Sequence, residues 1–83
     1  MQVAYSAEAA EQFIDLPIDI QRRVNDVVER LRNWPQVSGA KPLRHGLAGH
    51  FRIRTGDYRV QFVVGRQRIV IVKVGHRRGF YDD

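Results

Sequence analysis

A chain of 83 residues, 43% of them hydrophobic, can enclose one core and no second one, so a single domain over residues 1–83 is expected. The absence of cysteine removes disulfide scaffolds, zinc ribbons and thiol nucleophiles, leaving nitrogen and oxygen groups to carry any chemistry. The formal net charge of +5 is unevenly held: residues 1–40 carry four arginines against six carboxylates, whereas residues 41–83 carry ten lysines and arginines against Asp57, Asp82 and Asp83. His45, His50 and His76 also fall in the basic part, for which a polyanionic partner is the natural inference. No apolar run nears the ~18 residues of a membrane span, and the first residues lack a basic stretch leading into an apolar one. The cytoplasm is the expected compartment, with no membrane partner.

In chain order, Val3 and Tyr5 alternate with small or polar neighbours and predict a short strand. Ser6 can then cap a helix whose first turn holds Glu8, where the helix dipole favours an anion. Ala9, Phe13 and Leu16 share one face of that helix before Pro17 interrupts it. Ile20, Val24, Val27, Val28, Leu31 and Trp34 recur at helical spacing and predict a second, amphipathic helix. Asp19 can cap its start, Arg22, Arg23, Asp26, Glu29 and Arg30 form its polar face, and Pro35 stops it. So tight a connection predicts a helical hairpin. Gln36 to Gly49, with Gly39, Pro42 and Gly46, predicts a loop in which Leu43 could begin a strand.

From Phe51 the period changes to two. Phe51 and Ile53 oppose Arg52 and Arg54; after Gly56 and Asp57, the apolar Tyr58, Val60, Phe62 and Val64 oppose Arg59 and Gln61. Gly at the first central position of a two-residue loop suits a type II′ turn, which pairs Thr55 with Tyr58, Ile53 with Val60 and Phe51 with Phe62. That register sets Arg54 against Arg59 on the face away from the apolar pairs. Like charges facing across a ladder are destabilising, which an anion between them would relieve, as would screening by solvent. Ile69 to Gly75 predicts an interior last strand. With Val70, Val72 and Val74 turned to the helices, Lys73 joins Arg52, Arg54 and Arg59, and Val63, Ile69 and Ile71 form an exposed apolar strip suited to a protein partner. The expected fold is α+β: a helical hairpin packed on one face of a small, mostly antiparallel four-stranded sheet, in the order β-α-α-β-β-β.

Three stretches, Lys41-Pro-Leu-Arg44, Gly49-His-Phe-Arg-Ile-Arg-Thr-Gly-Asp-Tyr-Arg-Val60 and Val72-Lys-Val-Gly-His-Arg-Arg-Gly-Phe-Tyr81, resemble the RelE/ParE toxin superfamily, and the resemblance covers essentially the whole chain. In the RelE branch it implies a toxin of a type II toxin-antitoxin system that cleaves mRNA on the ribosome and is held inactive by a cognate antitoxin. The partners implied are antitoxin, ribosome and mRNA, with no metal and no cofactor. Arg59 matches the arginine that contacts the scissile phosphate, Arg77 the one that stabilises the transition state, and Tyr81 the tyrosine that stacks on a base. Arg52 and Arg54 stand where the best-known RelE proteins have lysines, and this departure removes the family's proton acceptor.

Attack of an RNA 2′-OH on its own phosphate needs proton transfer and charge stabilisation. A guanidinium offers a planar fork of donors to phosphate oxygens. It stays protonated, so the base falls to a histidine: His76, before Arg77, is favoured over His50, although either ring could be an ordinary solvated or backbone-bonded side chain. Arg52, Arg54, Lys73, Arg44, Lys41, Arg78 and His50 complete the candidate RNA-binding set; Arg52 and Arg54 could also be a merely solvated strand face. Two alternatives remain at this point: a ParE-like poison of DNA gyrase without nuclease chemistry, and a degenerate module that binds RNA or antitoxin.

Overall fold

The computed structural model describes residues 1–43 and 48–79. It contains β1 (Gln2–Tyr5), α1 (Ala7–Ile14), α2 (Ile18–Leu31), β2 (Lys41–Pro42), β3 (His50–Thr55), β4 (Tyr58–Val64) and β5 (Arg68–His76), followed by a single 3₁₀ turn, Arg77–Gly79. The strands form one sheet in the order β1-β5-β4-β3-β2, with β1 parallel to β5 and the other pairings antiparallel. The α+β class stands, with five strands in place of four. The fifth is the two-residue β2, whose Lys41 pairs with Arg52 and Pro42 with Phe51. A proline has no N–H to give a ladder, so its place at the sheet edge follows.

Both ends of the first helix have identifiable partners. Ser6 caps α1, its Oγ accepting from the Ala9 N–H at 3.1 Å. The first helix ends against Gln21 of the second, whose Nε2 donates to the carbonyls of Phe13, Ile14 and Leu16. The two hydrogens of one amide are thus shared among three carbonyls where the chain leaves the helix, the region in which helical acceptors lose their intrahelical partners. Pro17, not Asp19, occupies the cap position of α2, and Asp19 lies in the first turn, where its charge still suits the helix dipole.

Both helices lie on one face of the sheet. The core joins Ala9 of α1 and Ile20, Val24, Val27, Val28 and Leu31 of α2 to Ile53, Val60, Phe62, Ile69, Ile71 and Val74 of the strands. Trp34 closes the end of α2 against the sheet, edge-on to Phe51 at 4.8 Å and to Phe62 at 5.6 Å.

The β3–β4 hairpin has the predicted register, Thr55 with Tyr58, Arg54 with Arg59, Ile53 with Val60, Arg52 with Gln61 and Phe51 with Phe62. Gly56 supplies the positive φ, 60°, that the first central turn position needs. On β5 the expectation is half overturned. Lys73 does face away from the helices and Val74 is buried, but Ile69 and Ile71 are buried too, each at 0% exposure. The ladder slips between Gln61 and Phe62: Phe62 pairs with Ile71 whereas Gln61 pairs with Lys73. Val72 is therefore the extra residue of a bulge, and the inside and outside of the strand exchange across it. The supposed exposed strip of Val63, Ile69 and Ile71 does not exist, because two of its three members are core.

Candidate functional site

The face of the sheet turned away from the helices is organised in rows set by strand pairing, since directly paired residues point to the same side. One row reads Lys41, Arg52, Gln61, Lys73 across β2 to β5, and the next reads Arg54, Arg59, Gly75 across β3 to β5. Gly75 brings no side chain to its row, which leaves room beside Arg59. Arg59 sinks into the face, with only 5% of its surface exposed, while Arg54 stays exposed.

The last row is built by the chain after β5. The Arg77 N–H donates to the Asp57 carbonyl at 2.7 Å, extending the β4–β5 ladder past the hairpin turn. The Asp57 carboxylate lies 3.7 Å from the Arg77 Nε. One turn residue thus holds both the backbone and the side chain of Arg77. The result is a depression of about 410 Å³ lined by Arg54, Arg59, Arg77 and Arg78. Four guanidiniums converging on one concavity repel one another, and a polyanion is the ligand that reverses the sign of that interaction.

His76 is not among the lining residues. It pairs with Tyr58 on the helix side of the sheet, the two rings edge-on at 5.2 Å. Its Nδ1 accepts the Arg78 N–H at 3.1 Å, which ties the ring to the backbone of the turn that follows. His50 shares the open face with Val63, which it opposes, and its Nδ1 is buried with no hydrogen-bond partner among the described residues. Arg44, His45 and Tyr81 lie outside the described residues. Of the predicted set, then, Lys41, Arg52, Arg54, Arg59, Lys73, Arg77, Arg78 and His50 come to one side of the sheet and His76 does not. Two contributors were missed in the sequence, Asp57 as the anchor of Arg77 and Gly75 as the gap beside Arg59. The first could have been read from the hairpin turn; the second depends on the β5 register.

A helical hairpin on one side of a small mixed sheet and clustered arginines on the other define a class of small basic toxin. The chain belongs to the ParE toxin family of type II toxin-antitoxin systems, parDE, whose model matches residues 3–81. Its relatives include the toxin RelE of Mycobacterium tuberculosis, 38% identical over 82 residues that cover 95% of this chain and 84% of that one. The toxin RelE3 of Methanocaldococcus jannaschii is 26% identical over 85 residues, covering 99% and 97%. Among solved structures, a chain of the M. tuberculosis toxin-antitoxin complex RelBE2 matches with a TM-score of 0.79 at 32% identity, over 92% of this chain and 90% of that one. The isolated E. coli RelE toxin shares the fold, with a TM-score of 0.77 at 13% identity over 90% and 82%.

Proposed function

We propose that this RelE-like toxin is an endoribonuclease that cuts mRNA on the ribosome. The observation that carries the reading is the convergence of Arg54, Arg59, Arg77 and Arg78 on one depression. In this reaction the 2′-oxygen bonds to the adjacent phosphorus, the bond from phosphorus to the 5′-oxygen breaks, and the departing oxygen takes up a proton. The products are a 2′,3′-cyclic phosphate and a 5′-hydroxyl, and no step requires a metal. Charge builds on the non-bridging oxygens in the transition state, where Arg59 and Arg77 act as preorganised donors, each worth about 3 to 4 kcal/mol of barrier. Arg54 and Arg78 flank the phosphate, and Arg52, Lys41 and Lys73 track the adjoining backbone. Tyr81 provides the stacking platform. The 2′-OH proton goes to a group outside the arginine cluster, because a guanidinium has no site to accept it. His76, on the other side of the sheet, is a positioning residue for Arg77 and Arg78. A cognate antitoxin restrains the toxin in the cytoplasm.

The test is a translating bacterial extract supplied with the purified protein. Shortened mRNA with ends inside codons is expected, and Arg77→Ala or Arg59→Ala should each lower the cleavage rate by about 10²- to 10³-fold. Stalled translation with intact mRNA would leave an RNA-binding module without chemistry. The family description carries the ParE name, so DNA breaks that depend on gyrase, with mRNA untouched, would replace the nuclease reading by that of a gyrase poison.

A further inference from the structure

The open face has a second basic hollow at the opposite end of β4 from the arginine depression. Gly65, Arg66, Gln67 and Arg68 form the turn between β4 and β5, closed by the Gly65 N–H donating to the Arg68 carbonyl at 2.9 Å. Val64 packs against the core and Ile69 is buried, so Gly65 and Arg68, their neighbours, both face outward. Gln2 pairs with Arg68 across β1 and β5 and joins them. Together Gln2 and the turn line a concavity of about 610 Å³. A Cβ on Gly65 would stand 3.2 Å from the Arg68 carbonyl, so any larger residue would crowd the turn. The construction repeats that of the first site, where Arg59 faces Gly75: in both, a glycine opens space beside an outward arginine.

We propose that this hollow is a second phosphate site, which takes the backbone of structured RNA while the Arg59 end holds the scissile strand. The inference rests on the reading of the open face as RNA-binding. Arg66 and Arg68 are exposed and form no ion pair among the described residues, so their charge is available to a polyanion. Gly65 is six residue steps along the chain from Arg59, which at ~3.3 Å per step puts the two sites about 20 Å apart. Between them on this face lie the pair Gln61 and Lys73, next to the Arg59 end, and then the uncharged pair Val63 and Val70. Every described Phe, Tyr and Trp packs against the core on the helix side, so the second hollow offers donors and charge with no ring for a base to stack on. Single strands are gripped largely by stacking, whereas an A-form duplex is held through its phosphates and sugars. The second hollow suits the duplex.

The salt dependence of binding tests this. Fluorescence anisotropy would follow the protein, its Arg66→Ala/Arg68→Ala variant and an Arg22→Ala/Arg32→Ala control of equal net charge. The probes are an RNA duplex of about 16 base pairs and a 2′-O-methyl single strand that cannot be cut. With two phosphate contacts gone, the slope of log K against log salt for the duplex should become shallower by about 1.5 to 2 in the turn variant. The control should keep its slope, and the single strand should change by less than half as much. Equal slopes for all three proteins, equal flattening in the control, flattening as large on the single strand, or no duplex binding at low salt each overturn the proposal. Cleavage in the extract reads the catalytic assignment separately: a chain that cuts mRNA with an unchanged duplex slope loses the second site alone, and one with the turn-dependent slope that never cuts loses only the nuclease.

Discussion

Arg77 owes its position to two contacts with a single turn residue, and His76 fixes the next step of the chain through the Arg78 N–H. Removing the imidazole deletes one hydrogen bond and one ring contact, so His76→Ala should slow cleavage by at most about tenfold. The pH-rate profile should keep its shape between about pH 5 and 8; loss of an acidic limb would return His76 to the role of base. Tyr5 is edge-on to Phe13 at 5.5 Å, with its hydroxyl buried and unbonded among the described residues. Burial raises the Tyr5 pKa above its ordinary 10.0. The folded state therefore holds the phenolic proton more tightly than the unfolded chain. The associated stability is intact below about pH 10 and is lost as the pH rises further, because the unfolded state ionises first. Tyr5→Phe should remove that alkaline loss and, by deleting an unsatisfied buried group, stabilise the protein by about 1 kcal/mol in urea denaturation at neutral pH.

Among the elements, β5 separates what could be read in advance from what could not. The β3–β4 register was legible because polar and apolar residues alternate on both strands and a glycine marks the turn. In β5 the run from Ile69 to Val72 carries no polar marker, so Lys73 was the sole reference. Counting back from it by twos placed Lys73 and Val74 correctly and inverted everything before Val72, where the bulge adds a residue. The pairing of Gly75 with Arg59 depends on the register between β4 and β5, which the pattern does not state, and β2, two residues of which one is proline, lies just before the strand start expected at Leu43. Ile71→Ala should cost about 2 to 4 kcal/mol, as a buried side chain does, and Val70→Ala, half-buried on the open face, less than about 1 kcal/mol, by urea denaturation. The opposite ranking would restore the simple alternation.

On the scale of the whole molecule, charge and topology divide the chain in the same way: the acidic helical hairpin covers one side of the sheet and the basic strands furnish the other. Composition alone showed that division. It could not show that Arg59 would be buried while Arg54 stayed in solvent, since that follows from neighbours brought together by folding. The sheet also has an unfinished border. Among the described residues no strand pairs with β5 beyond Ile71 on the β1 side, and the Val74 N–H there is met by the Gln12 Oε1 of α1 at 2.8 Å. A bare strand edge is a template on which a second chain can assemble. One amide from a helix occupies the donor that an incoming strand would need, so Gln12 guards solubility as much as stability. In concentrated solution Gln12→Ala should turn polydisperse by light scattering at temperatures where its circular dichroism is still native, making self-association, ahead of unfolding, the first failure of this toxin.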